Sequence, residues 1–141
     1  MIAADKREYR KGYTRHYAAL KVLDDKRFYS RRLLLFYGVE CGLKYLLMDM
    51  WGVMNTRQLE DDQEKLDVLK SHNLNLMLKA LGQQGMVKFS PFQTCHGDTV
   101  DASTYHQAYR YGIGIDKRAG NKEIQFEQEL ALVAQWIDGR V

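Results

Sequence analysis

Residues 28–51 constrain this chain more than any other stretch. They read Phe-Tyr-Ser-Arg-Arg-Leu-Leu-Leu-Phe-Tyr-Gly-Val-Glu-Cys-Gly-Leu-Lys-Tyr-Leu-Leu-Met-Asp-Met-Trp. Apolar residues at Leu33, Leu34, Phe36, Tyr37, Cys41, Leu43, Tyr45, Leu47 and Met48 leave no face of a helix wholly polar. A helix that is apolar nearly all round is packed on several sides, so this one is predicted to sit at the centre of the fold. It is not a bilayer crossing, which takes ~20 predominantly apolar residues with few or no charges. Arg31, Arg32, Glu40, Lys44 and Asp49 interrupt it. Glu40 precedes Lys44 by four positions, the favourable order for a pair on one helix. Gly38 and Gly42 are spaced alike, and each costs ~0.5–1 kcal/mol against alanine inside a helix. A second helix approaching closely over that spacing would offset the cost.

The 141 residues suit one domain, 1–141. The only proline is Pro91, which favours long helices. Asp5 caps a first helix over Asp5–Leu23, with Glu8 three residues on as a capping box. Tyr9, Tyr13, Tyr17 and Leu20 fall on one of its faces, either as core or as a base-stacking surface interleaved with Arg10 and Arg15. Asp24-Asp25-Lys26 is a short turn, so the first two helices are expected antiparallel. Residues 55–70 read as a helix or a looser lead-in. Ser71 is the expected N-cap of a helix with Leu74, Met77, Leu78 and Leu81 inside, and Gly82 and Gly85 stop it. Residues 86–98 read as a loop packed through Phe89 and Phe92. A helix capped by Asp101 or Ser103 runs to Tyr109 and stops at Gly112-Ile113-Gly114. Glu123–Ile137 is the last helix, its inner face being Ile124, Phe126 or Glu127, Leu130, Val133, Ala134 and Ile137, with Arg140 beyond its end suiting the macrodipole. The expected fold is an all-α bundle of about five helices around 28–51.

The net charge of +3 is unevenly spread. Lys6, Arg7, Arg10, Lys11, Arg15, Lys21, Lys26, Arg27, Arg31 and Arg32 crowd the first 32 residues, whereas Glu60, Asp61, Asp62, Glu64 and Asp67 form an acidic run. A basic end of this kind suits nucleic acid or a partner chain, and Arg10, Lys11, Arg15, Arg31 and Arg32 are its candidate contacts. No apolar stretch follows the first four residues, and Cys41 and Cys95 make no disulfide framework, so free thiols in a reducing cytoplasm are expected. There is no phosphate-binding Gly-rich loop, His-Glu-x-x-His or Cys-x-x-Cys. Cys95, His96 and Asp98 have zinc-binding chemistry but lack a fourth ligand, so neither metal nor other cofactor is expected. His72, in Ser-His-Asn-Leu, reads as lying in the first turn of an apolar helix, where a nearby phosphate is favoured.

The run Arg31–Leu47, then Ser71-His72-Asn73-Leu74 to Leu81, then Tyr109-Arg110-Tyr111-Gly112 and Leu132–Ile137, resembles the HEPN (higher eukaryote and prokaryote nucleotide-binding) family in order and spacing over residues 28–138. The resemblance implies a small helical bundle, often dimeric, found in prokaryotic toxin–antitoxin and anti-phage systems. Active members are metal-independent ribonucleases carrying Arg, four to six residues, then His. Here no arginine lies five to seven positions before His72. Arg10 and His16 meet the spacing, but on the first helix; His72 with Arg110 is a composite alternative if their helices meet. The expectation is a HEPN-like accessory subunit, a homodimer or bound to a partner protein, with RNA or DNA as a possible ligand. A metal-independent endoribonuclease and a purely structural subunit are the alternatives.

Overall fold

The structure is a computed structural model that describes residues 4–23 and 28–141; the Asp24-Asp25-Lys26 turn lies outside them. Helix α1 spans Lys6–Val22 and begins with the expected capping box. The Asp5 carboxylate accepts the Glu8 N–H at 2.8 Å, and the Glu8 carboxylate accepts the Asp5 N–H at 3.1 Å. Helix α2 spans Phe28–Trp51. Four others pack on it: α1, α4 (Leu74–Ala80), α5 (Tyr105–Arg110) and α6 (Asn121–Asp138). That surround explains why α2 needs apolar residues on every side. Phe36, Leu43, Leu47 and Met48 are fully enclosed.

Glycine sets how near the helices come. A Cβ on Gly42 would lie 2.7 Å from Ile137 Cγ2 and 3.0 Å from Tyr13 Cδ1, so α1 and α6 both close over this one position. A Cβ on Gly38 would make only an ordinary 3.6 Å contact with His16, so Gly42 alone of the two is sterically required. Gly12 on α1 is required too, because its Cβ would meet Cys41 Sγ at 2.8 Å. The tyrosine stripe of α1 faces this contact: Tyr13 is buried, and Tyr9, Tyr17 and Leu20 pack against the core. Those rings are core rather than a free stacking platform.

Residues 55–70 hold a 3-10 turn, Thr56–Leu59, and helix α3, Gln63–Lys70, capped by Asp62. The bundle therefore has six α-helices among the described residues. Ser71 does not cap α4. Its hydroxyl turns back to the Val68 carbonyl at 2.8 Å and finishes α3, while Asn73 takes over the capping by accepting the Asn75 N–H. Residues 86–98 are not wholly loop. Strand β1, Phe92–Gln93, pairs antiparallel with β2, Thr99–Val100, with Phe92 opposite Val100. Phe89 has φ +48°, and its ring packs 4.7 Å from Phe126. The N–H groups of Lys88 and Phe89 both donate to one Glu129 oxygen, which holds the turn in a conformation costing ~1–3 kcal/mol.

Helix α5 starts later than the sequence suggests. Asp101 accepts the N–H groups of Ser103 and Thr104, making a turn before the helix, and Thr104 at the N-cap position makes no side-chain cap bond. In α6, Phe126, Leu130, Val133, Ala134 and Ile137 point inward, but Ile124 is 49% exposed. It lies two positions before Phe126, ~200° round the helix and on the far side. No helix among the described residues is long and apolar enough to cross a membrane.

Candidate functional site

The α2 face opposite α4 and α5 carries a connected set of polar side chains. Glu40 is buried there with both oxygens engaged. One lies 2.8 Å from His72 Nδ1, and the other accepts from Lys44 Nζ at 3.3 Å. An ionised carboxylate only accepts, so the hydrogen of this contact is on Nδ1. In the neutral ring that leaves the His72 Nε2 lone pair available as a base. His72 itself lies in the link between α3 and α4, before the Asn73 cap, and not in a helical first turn. Its imidazole is 46% exposed.

His106, on α5, completes the set. Its ring stacks 5.6 Å from Phe36 and stands 4.3 Å from the His72 ring. It is buried, and its Nδ1 has no hydrogen-bond partner among the described residues. Burial pushes its pKa down to about 4, and the charges of His72, Arg110 and Lys44 act in the same direction against the opposing pull of Glu40. Arg110 follows one turn along α5, exposed, and its guanidinium donates to the Tyr37 hydroxyl through Nε at 2.9 Å and through Nη2. The Tyr37 ring lies 5.7 Å from the His16 ring. His16, Arg110 and His72 thus border one side of α2, but Arg110 is tied to Tyr37 rather than to His72.

Arg10 does not join them. It is six positions from His16, ~240° round the helix, and points to solvent while His16 faces α2. With Arg7, Lys11, Thr14 and Arg15 it surrounds a shallow depression of about 480 Å³. Arg31 is half-buried beside Tyr17, Leu20 and Glu127. Arg32 is turned away from this surface: its side chain is 11% exposed and pairs with Glu123 and Glu127 of α6, the latter at 2.9 Å. It clamps α2 to α6 and leaves the group of candidate nucleic-acid contacts.

Cys95, His96 and Asp98 lie on the exposed β1–β2 turn, where the Thr94 hydroxyl accepts the N–H groups of His96 and Asp98. Among the described residues no group of three or more His, Cys, Asp or Glu is placed to hold a metal ion. The Cys41 thiol is pushed up to about 11, mainly by burial, which makes it a poor nucleophile. Sequence reasoning missed His106. The signal was its position four before Arg110, which puts both on one side of α5. Comparison with protein-family models, with curated proteins and with solved structures gave no match to this chain.

Proposed function

We propose that the chain is a HEPN-like binding subunit whose first helix lies along the phosphate backbone of a nucleic acid. One observation carries this reading. Arg7, Arg10, Lys11 and Arg15 share an exposed face of α1, and none has a side-chain hydrogen-bond or ion-pair partner among the described residues. Unpaired cations in a row release counterions from a polyanion, and the contact is sequence-independent. The inward tyrosines remove base stacking from the scheme, so affinity rests on charge. A small helical bundle is also what the family resemblance implies. In this reading the subunit works in the cytoplasm, as a homodimer or on a partner protein, within a prokaryotic defence or toxin–antitoxin complex.

The test is a set of binding isotherms on single-stranded RNA and DNA over a range of salt. Each lost phosphate contact lowers the slope of log K against log salt by ~0.7 for single strands. Arg10→Ala/Lys11→Ala is therefore expected to lower it by about 1.4 and to weaken binding uniformly across sequences. An unchanged slope would remove the α1 face from the interface, and no salt-sensitive binding at all would favour a structural subunit.

Metal-independent RNA cleavage is the second reading, and the 4.3 Å approach of His72 to His106 favours it. His72 Nε2 would take the 2′-hydroxyl proton as the 2′-oxygen bonds to phosphorus, the 5′-oxygen would leave with a proton from water to give a 2′,3′-cyclic phosphate, and Arg110 would hold the phosphate. RNA incubated in chelator with wild type and His72→Ala decides it. Cleavage lost in the variant supports the enzyme; intact RNA with wild type supports binding alone.

A further inference from the structure

A second cleft, independent of the basic α1 face, lies between the start of α1, α2, the Thr56–Leu59 turn and α3. Its volume is about 530 Å³, within the ~300–1,000 Å³ of small-molecule sites. Glu40 and Lys44 form its floor and are themselves buried. Both Glu40 oxygens are occupied, so that carboxylate offers little to a ligand. Lys44 is different. An ammonium carries three donors, and this one makes a single 3.3 Å hydrogen bond and stands 5.7 Å from the centre of the Tyr9 ring. At the rim, Arg57 and Lys70 are exposed, with no side-chain hydrogen bond or ion pair among the described residues. Tyr9, Leu66 and Leu69 supply apolar wall.

The charges choose the ligand. Lys44, Arg57 and Lys70 oppose Glu40 and Glu60, leaving one uncompensated positive charge. A monoanion balances it; a dianion would be set against two fixed carboxylates. The Arg57 fork matches a carboxylate in bidentate geometry, and the wall accepts an apolar body. We propose that this cleft binds an organic monocarboxylate, its head among Lys44, Arg57 and Lys70 and its body on Tyr9, Leu66 and Leu69. A free acid and the C-terminal residue of a peptide present the same chemistry.

Amide chemical shifts of the whole chain, followed during titration, test this with four probes: phenylacetate, N-acetylphenylalanine, benzyl alcohol and phenyl phosphate. Phenylacetate is expected to move the amides of Tyr9, Lys44, Arg57 and Leu66 to Lys70, and to bind at least tenfold more tightly than benzyl alcohol. Arg57→Ser/Lys70→Ser, confined to the exposed rim, is expected to weaken it tenfold or more, while Arg10→Ala/Lys11→Ala leaves it unchanged. Tighter binding of N-acetylphenylalanine assigns the site to a chain terminus; tighter binding of phenylacetate assigns it to a free acid. Equal affinity for phenylacetate and benzyl alcohol, indifference to the rim substitutions, or tenfold preference for phenyl phosphate overturns the proposal. None of these outcomes bears on the α1 face, which Arg10 and Lys11 report separately.

Discussion

Glu40→Leu is expected to destabilise the protein by about 3 kcal/mol, and Glu40→Leu/Lys44→Leu to recover most of that loss. The two charges sit side by side one turn apart on α2, and both side chains are nine-tenths or more out of contact with solvent. Had they been exposed, their i,i+4 pairing would contribute only ~0.3–0.5 kcal/mol, and neither substitution would matter much. Buried, the pair is held together by the cost of separating it. Removing Glu40 leaves the Lys44 ammonium with the Tyr9 ring as its one polar or aromatic partner among the described residues and takes the acceptor from His72 Nδ1. Breaking one partner of a buried pair costs ~3–5 kcal/mol, and the low end applies because the neighbouring cleft opens one side to water. Replacing both removes the stranded charge along with its partner. Urea unfolding followed by circular dichroism measures all three stabilities. A single substitution costing under 1 kcal/mol, or a double variant no better than the single, would show that the pair is not effectively desolvated.

The pair shows what local pattern conveys and what it leaves open. The spacing of Glu40 and Lys44 predicts their contact correctly, but an i,i+4 pair looks the same in sequence on a wet face and in a core. Burial here follows from α4 and the α3–α4 link packing over α2, which no local window contains. The interior placement of 28–51 was legible because only a surrounded helix needs apolar residues on all sides. The capping box at Asp5 was legible for the same reason of locality: it needs only four residues. Ser71 misled because two residues away Asn73 offers an equivalent side-chain oxygen, and the Val68 carbonyl competes for the serine hydroxyl. Residues 55–70 hold too few apolar positions to fix a helix from periodicity, although Leu59 and Leu69 are both buried. Of the candidate site, the sequence pairs His72 with Arg110 and singles out His16, but does not bring His16 beside them, which depends on α1, the α3–α4 link and α5 meeting along α2. His106 was hidden because a histidine among Tyr105, Ala108 and Tyr109 reads as ordinary helix filler. Arg32 was misplaced with the basic surface because its partners Glu123 and Glu127 are about ninety residues away.

His106 gives the second large effect, a share of the stability lost on acidification that His106→Phe should remove. The groups facing its ring are Phe36, Glu40 and Lys44 from α2, His72 from the α3–α4 link and Arg110 from its own helix. Glu40 alone favours a proton there, and it is already committed to His72 and Lys44. Burial and the surrounding positive charges hold the folded pKa near 4, against 6.5 in the unfolded chain. Above pH 6.5 both states are neutral at this ring and the site has no pH dependence. Between pH 6.5 and 4 the unfolded chain takes up a proton that the folded protein refuses, so stability falls as pH falls. At ~1.4 kcal/mol per pH unit of displacement, the loss approaches 2–3 kcal/mol by pH 4 and then levels off. Carboxylates such as Asp101, held below the usual range by hydrogen bonds from Ser103 and Thr104, also weaken the fold in acid. They do so equally in wild type and variant, so the difference between the two isolates His106. Phenylalanine keeps the stacking on Phe36 and removes the unpartnered Nδ1. The stability gap between His106→Phe and wild type is therefore expected to shift by about 2–3 kcal/mol in favour of the variant between pH 7 and pH 4. Parallel stability curves over that range would mean that His106 takes up its proton in the folded state as readily as in the unfolded one, and the imidazole pair would then be open to water on both sides.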